Sequence, residues 1–275
     1  MTDKYAVIGH PIAHSKSPVI HQAFASQLGK MISYERVQAP LDGFAQTISR
    51  LITEGYKGVN VTVPFKSEAF AIADQVTAKA REASAANTLI FDTTLGIVAA
   101  NTDGVGLVRD IQQNLEVSLE GKRVLLIGAG GAAEGVAHPI AECLPKLFVI
   151  TNRSLEKATA IVNKLEMVEG FKVTTIKCSD FKGLEGQVFD IVINATSVGL
   201  TDSELPIPNS IFTKDTLAYD MMYGRETPFM AQARKAGASV ADGLGMLVEQ
   251  AAEAFYLWHG VRPETRPVIE KIRNS

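Results

Sequence analysis

The side chains that could do chemistry in this chain cluster beside the ends of apolar runs. Lys66 closes the segment Asn60-Val61-Thr62-Val63-Pro64-Phe65-Lys66. A strand over 58–63 puts Asn60 and Thr62 on one face and Val59, Val61 and Val63 on the other, with Pro64 ending it. Lys66 then stands just past a strand's C-terminal end, where open α/β sheets hold ligands. A solvated loop lysine fits the same pattern. Asp103, in Asn101-Thr102-Asp103-Gly104, opens a helical run. Thr102 or Asp103 would cap that helix, which leaves the carboxylate able to point into a cleft. Lys66 and Asp103 brought together would make a proton-transfer pair.

Ser15-Lys16-Ser17-Pro18 can be read two ways. Ser17 before Pro18 makes a good N-cap and first helical residue. In an extended segment Ser15 and Ser17 point the same way, and two hydroxyls with a helix N-terminus can hold a carboxylate without a buried arginine.

Gly128-Ala129-Gly130-Gly131-Ala132-Ala133 follows the apolar run Val124–Ile127 and opens a helix. It reads G-x-G-x-x-A, a variant of the dinucleotide fingerprint. Gly128 allows a tight turn, Gly130 admits a pyrophosphate against the backbone, and Ala133 lets helix pack on strand. The helix N-terminus favours the anion. A tight strand-to-helix turn is the bland alternative, and the flanking strand–helix–strand context favours a nucleotide. The next strand runs into Asn152-Arg153-Ser154, with Lys157 beyond. NAD sites place a carboxylate here for the ribose 2′-OH, and a carboxylate would repel a 2′-phosphate. A guanidinium suits that phosphate, so the position favours NADP. Ser154 can also cap the helix that follows while Arg153 is solvated.

Asn194-Ala195-Thr196-Ser197 ends a further strand, as a plain turn or as a cofactor contact. Asp242-Gly243-Leu244-Gly245-Met246 opens the last long helix. Met246 is a core residue by its usual habit, and Gln250 lies four residues on, on the same helix face.

The rest of the sequence bounds the partners. The 275 residues carry a net charge of −3 and are 46% hydrophobic, so no basic excess exists to neutralise a nucleic-acid backbone. The two cysteines, Cys143 and Cys178, form no C-x-x-C pair, and the histidines show no metal-ligand spacing. Free thiols suit a reducing cytoplasm. No secretory signal and no eighteen-residue apolar stretch is present. The expectation is therefore no metal, no nucleic acid and no membrane.

Stepped apolar patterns supply the frame. Strands are predicted at 4–9, 32–37 and 58–63, with helices at 18–28 and 44–52 between them, the latter burying Phe44, Ile48, Leu51 and Ile52. This β-α-β-α-β order implies a largely parallel sheet with helices on its faces. A helix over 102–114 leads to a second series. Its strands fall at 124–127, 147–151, 172–176, 190–195 and 217–220, its helices at 131–143 and 156–164. Helical spacing returns after Gly243. The fold class is α/β in two domains, an N-terminal open α/β domain and a Rossmann-type domain, with the C-terminal helices returning to the first. The boundaries are 1–102 plus 243–275, and 103–242.

Taken together these segments resemble the shikimate dehydrogenases. The matching pieces are Gly9-His10-Pro11-Ile12-Ala13-His14-Ser15-Lys16-Ser17-Pro18, the Asn60–Lys66 segment, Ala86-Asn87-Thr88, Asn101-Thr102-Asp103-Gly104-x-Gly106, the glycine loop, Asn152-Arg153-Ser154, Asn194–Ser197, Tyr219-Asp220-Met221-x-Tyr223 and Asp242–Leu247. They lie in order along nearly the whole chain.

The resemblance implies two domains around a cleft and an NADP-dependent interconversion of 3-dehydroshikimate and shikimate. It implies that Ser15, Ser17, Asn60, Thr62, Asn87, Tyr223 and Gln250 bind shikimate and that Lys66 and Asp103 are the catalytic pair. Gly128, Ala129, Gly130, Gly131 and Ala132, then Asn152, Arg153, Ser154 and Lys157, with Thr196, Met221, Gly243 and Met246, would line the cofactor site. A monomer or homodimer is expected. Two positions depart from the pattern. Ala133-Glu134 stands where many relatives carry serine–arginine, so no cation is added near the pyrophosphate, and Met222 replaces another apolar residue. A dehydrogenase acting on quinate with NAD or both cofactors, and a non-catalytic ligand sensor on the same fold, are the competing readings. Arg153 argues against the first and the Lys66–Asp103 pair against the second.

Overall fold

The computed structural model describes residues 2–171, 174–198 and 203–274. The chain divides into two compact units, Met1–Gly106 with Leu247–Ser275, and Leu107–Met246. The expected boundaries at 102/103 and 242/243 fall four residues earlier.

The first unit runs β1 (Asp3–Gly9), α1 (Ser17–Gln27), β2 (Ile32–Gln38), α2 (Phe44–Thr53), β3 (Tyr56–Val61), α3 (Lys66–Ala71), β4 (Gln75–Val76), α4 (Ala78–Ala83), β5 (Thr88–Asp92) and β6 (Gly96–Ala100), and enters α5 (Asp103–Arg109). Its six-stranded sheet has the order β2-β1-β3-β5-β6-β4. β1 pairs in parallel with β2 and β3, as the βαβαβ pattern requires. The sheet is nevertheless mixed: β5 runs antiparallel to β3 and β6 antiparallel to β5. A short hairpin makes the reversal, and Asp92 Oδ1 accepts the Thr94 and Leu95 N–H groups at its turn. Phe44, Ile48 and Leu51 of α2 pack on Ile8, Val59, Val61 and Phe65. Ile52, expected on that face, is exposed.

The expected strand to Val63 stops at Val61 instead. Thr62 to Phe65 form a turn closed by Phe65 N–H to Thr62 O at 3.0 Å, and Val63 is exposed. Pro64 has no N–H for a ladder, and the turn lets α3 begin at Lys66.

The second unit continues from α5 through a π-helical turn (Asp110–Asn114) to β7 (Arg123–Ile127), α6 (Gly131–Glu142), β8 (Leu147–Thr151), α7 (Leu155–Glu166), β9 (Thr175–Ser179), β10 (Ile191–Asn194), β11 (Leu217–Asp220), α8 (Pro228–Lys235) and β12 (Ser239–Ala241). The helix expected over 102–114 is thus α-helical only in its first half. The strand expected at 172–176 lies at Thr175–Ser179, and Lys172 and Val173 are outside the described residues.

All strand pairs in the second unit are parallel, in the order β12-β11-β10-β7-β8-β9. This is the doubly wound nucleotide-binding arrangement, whose switch point lies beside its first strand, here β7. Val124 and Leu126 of β7 enter one core with Val136 and Ile140 of α6. Leu125 and Ile127 enter the other with Phe229 and Ala233 of α8. Burial on both faces is why β7 reads as an unbroken apolar run.

The chain returns to the first unit through α9 (Leu244–His259) and ends in α10 (Arg266–Arg273). Among the described residues no helix is long and apolar enough to cross a membrane.

Candidate active site

In the first unit the structure brings Lys66, Asn87, Asp103 and Gln250 together. Lys66 is the first residue of α3, and its backbone C=O accepts the Ala86 N–H at 2.9 Å. Its Nζ lies 2.6 Å from Asp103 Oδ2. An ammonium has three donors, so this bond leaves others for a ligand, and a quarter of the lysine side chain is exposed (25%).

Asp103 begins α5 but does not cap it. Asn101 Oδ1 accepts the Asp103 N–H at 3.0 Å, so the carboxylate stays available for Lys66. Asn87 braces its other oxygen, Nδ2 donating to Oδ1 at 2.9 Å. The same amide reaches Thr102 Oγ1 at 2.9 Å and Gln250 Oε1 at 3.3 Å, while Asn87 Oδ1 accepts the Thr102 N–H at 2.9 Å. Thr102, expected only as a helix cap, is therefore part of the cage. The main chain of Asn87 is fixed between strands by Val61 N–H to its C=O and by its own N–H to Ala100 O. The pair thus rests on β3, β5 and β6, with little freedom to drift.

A second polar string contains Ser15, Ser17 and Asn60. Ser17 is not the N-cap of α1. Lys16 occupies that place, Ser17 is the first helical residue, and the Ser15 hydroxyl accepts the Ser17 N–H at 3.3 Å. The two hydroxyls lie 3.1 Å apart. Pro18 is tolerated in the first turn of α1 because its missing N–H falls among those that need no intrahelical acceptor. Asn60 Oδ1 accepts from the Tyr34 hydroxyl at 2.7 Å, and its Nδ2 donates to Thr88 Oγ1 at 3.0 Å. Thr62 follows β3, its N–H bound to Ile8 O.

His21 lies fully buried behind this string, stacked 4.3 Å from the Tyr34 ring and bordered by Phe24, Phe255 and Trp258. Burial pushes its imidazole down to about 3 from 6.5, and His259 acts in the same direction. The folded state keeps His21 neutral while the unfolded chain takes up a proton below 6.5. Stability is therefore fully present above that value and is lost as pH falls toward the folded value, by at most about 1.4 kcal/mol per pH unit. His21→Phe should flatten this dependence, measured as urea-unfolding free energies at about pH 7 and about pH 5. Equal slopes for the two proteins would mean that His21 is not held neutral.

The second unit holds the glycine loop. Gly128 has φ +118°, and a Cβ there would meet the Ala195 backbone at 3.2 Å. Gly130 and Gly131 differ: a Cβ at either would project into open space. That space lies over the start of α6, whose N-cap is Gly130. Bare N–H groups under an open cradle fit a pyrophosphate. Ala129 is buried and Ala132 exposed at the mouth of the loop. Glu134 lies in the first turn of α6.

Beyond β8, Asn152 Nδ2 bonds to Ser154 O at 3.0 Å. Ser154 is the N-cap of α7 by position, but its hydroxyl makes no cap bond. Arg153 and Lys157 are both exposed, and among the described residues neither has an ion pair or side-chain hydrogen bond. This leaves two cations and a hydroxyl free to meet a phosphate.

Thr196 donates through its N–H and hydroxyl to Asn194 Oδ1, and Asn194 Nδ2 donates to Asp220 Oδ2 at 3.1 Å. Asp220 also takes the Thr227 hydroxyl and the Met222 N–H, although burial pushes its carboxyl upward. The turns bearing Thr196 and Met221 are tied together by this buried carboxylate. Gly243 sits against the Met221 carbonyl, its N–H bound to Met222 O. Met246 packs in the second unit's core. Tyr223 follows β11 in the same unit, its hydroxyl pushed upward by burial.

Three family models match. The shikimate dehydrogenase substrate binding domain covers residues 7–89, the shikimate/quinate 5-dehydrogenase model 109–204, and the shikimate 5'-dehydrogenase C-terminal domain 243–273. A shikimate dehydrogenase (NADP(+)) of Methylobacillus flagellatus is 57% identical over 98% of this chain and 99% of its own. The solved structure of an Ael1 enzyme from Pseudomonas putida superposes with a TM-score of 0.93 at 46% identity, covering 98% of both chains. A Thermus thermophilus shikimate 5-dehydrogenase, solved in complex with NADP(H) and shikimate, gives 0.87 at 30% identity over 99% of both.

Proposed function

This chain belongs to the shikimate dehydrogenase family, and we propose that it reversibly reduces 3-dehydroshikimate to shikimate at C3, in chorismate and aromatic amino-acid biosynthesis in the cytoplasm. It is an NADP-dependent oxidoreductase. The observation that carries the chemical reading is Lys66 Nζ at 2.6 Å from Asp103 Oδ2, in a cage of buried amides.

NADPH, when bound, supplies the hydride. Hydride addition to a carbonyl carbon leaves an alkoxide, which is too basic to persist at neutral pH. Lys66, as the ammonium, gives its proton to that oxygen, and in the oxidation the amine takes the proton back. Asp103 holds the ammonium and aims it, and Asn87 fixes Asp103. In this reading Ser15 and Ser17 receive the substrate carboxylate through their hydroxyls, and Asn60, Thr62, Asn87 and Gln250 contact the rest of shikimate.

The cofactor is assigned to the glycine loop from Gly128 to Ala132, with Thr196, Met221, Gly243 and Met246 around it. Asn152, Arg153, Ser154 and Lys157 receive the 2′-phosphate. A hydrogen bond to a charged group contributes about 1.5–3 kcal/mol. Arg153→Ala should then raise KM for NADP roughly ten- to a hundredfold and leave KM for NAD almost unchanged. An equal loss with both cofactors would remove Arg153 from the phosphate.

Isotope transfer tests the chemistry itself. NADPH deuterated on the transferred position and 3-dehydroshikimate are incubated with the protein, and the product is analysed by mass spectrometry and NMR. Shikimate with deuterium at C3 is expected. Product lacking the label, or label elsewhere on the ring, would contradict hydride transfer at C3.

A further inference from the structure

Two hydroxyls carry no net charge, yet Ser15 and Ser17 are assigned a carboxylate. The needed cation is visible one strand away. Arg36, near the end of β2, donates from both Nε and Nη2 to the Ser15 carbonyl oxygen, at 2.9 and 2.6 Å. Two places back on β2, and therefore on the same face, stands Tyr34. Its hydroxyl donates to Asn60 Oδ1 at 2.7 Å. One edge strand thus grips the Ser15 main chain and the Asn60 amide.

We propose that Arg36 and Tyr34 are positioning residues of the substrate site, Arg36 holding the carboxylate-binding Ser15 and placing a permanent positive charge beside that subsite, Tyr34 fixing Asn60 next to it. The proposal rests on the reading that Ser15 and Ser17 bind the carboxylate. Arg36 is the suitable cation because its planar fork spans one acceptor with two donors and never loses its proton. Tyr34 is buried and its ring is stacked on His21, so its hydroxyl is a fixed point against which Asn60 is set. Arg36 is exposed and lines an open groove of about 750 Å³ with Pro18, Gln22 and Lys271. Salt therefore reaches the guanidinium and screens it.

The test compares shikimate with its methyl ester, which keeps the ring and loses the negative charge. In Arg36→Met, KM for shikimate should rise about tenfold, with kcat and KM for NADP nearly unchanged. KM for the ester (or its inhibition constant) should barely move. The rise of shikimate KM with salt should be shallower than in the wild type, and Arg36→Lys should recover part of the loss. Tyr34→Phe should raise KM for shikimate severalfold without lowering kcat. Lys16→Met, removing the cation between the serines, serves as a control and should leave the acid–ester difference largely intact. Unchanged shikimate KM in Arg36→Met, or equal rises for acid and ester, would overturn the proposal. Ser15→Ala separates the two layers. If Ser15→Ala affects acid over ester and Arg36→Met does not, only the role of Arg36 fails. If Ser15→Ala shows no such preference, the subsite reading fails beneath it.

Discussion

Lys66→Met is expected to lower kcat by roughly 10²–10⁴-fold, the usual worth of a positioned acid or base, with a much smaller change in KM. Methionine keeps most of the stem length and loses the proton. Asp103 retains Asn87 Nδ2 at 2.9 Å, so its carboxylate is not left without a donor and the protein should stay folded. Lys66→Arg sharpens the result. Arginine preserves the charge opposite Asp103 but does not exchange a proton near neutral pH. If the lysine acts by proton transfer, Arg should restore little of the lost rate. If it acts only as a fixed cation, Arg should restore most of it. A kcat near wild type in Lys66→Met, with only KM raised, would contradict the proton-transfer role.

The second large effect is on stability. Glu249 is buried on α9, next in sequence to Gln250. Arg262 Nη2 lies 2.7 Å from Glu249 Oε2 and Nη1 2.5 Å from Glu253 Oε2, and the Thr265 hydroxyl donates to Glu249 Oε1. Arg262→Met removes the guanidinium while the carboxylate stays buried. Losing one partner of a buried pair typically costs about 3–5 kcal/mol. Urea unfolding of Arg262→Met should show a fall of that order. Replacing both residues, as Glu249→Met with Arg262→Met, should recover part of it, because the more deeply buried charge is then gone while Glu253 still loses the guanidinium. A change under about 0.5 kcal/mol in the single variant would place this bridge among weak surface pairs. The bridge also anchors α9, so KM for shikimate is a useful second readout through Gln250.

Much of the frame was readable from periodicity because burial imposes it. β7 is buried on both faces, and its run Val124–Ile127 is unbroken. The α2 stripe of Phe44, Ile48 and Leu51 faces one core. What escaped was set by local turns and by contacts distant in sequence. The β5–β6 hairpin depends on Asp92 closing a tight turn. β3 stops at Val61 because the backbone turns before Pro64, whereas side-chain alternation runs on to Val63. The π-helical turn at Asp110–Asn114 leaves no mark in apolar spacing.

At the site, residue types pointed to Lys66 and Asp103, and a lysine 37 positions from its aspartate can be paired only by the fold. The family resemblance brought in Asn87, but its role as the brace of Asp103 comes from geometry. Tyr34 and Arg36 gave no signal at all. They sit in an ordinary strand pattern, and only the packing of β2 beside the Ser15–Ser17 turn reveals what they hold.

The most direct measurement follows nicotinamide absorbance when purified protein is mixed with shikimate and NADP, beside parallel mixtures with NAD and with quinate. Rapid reduction of NADP by shikimate, with far slower turnover of NAD and of quinate, is the predicted result. No turnover with any pair, despite measurable shikimate binding, would contradict the account and leave a protein that only senses its ligand.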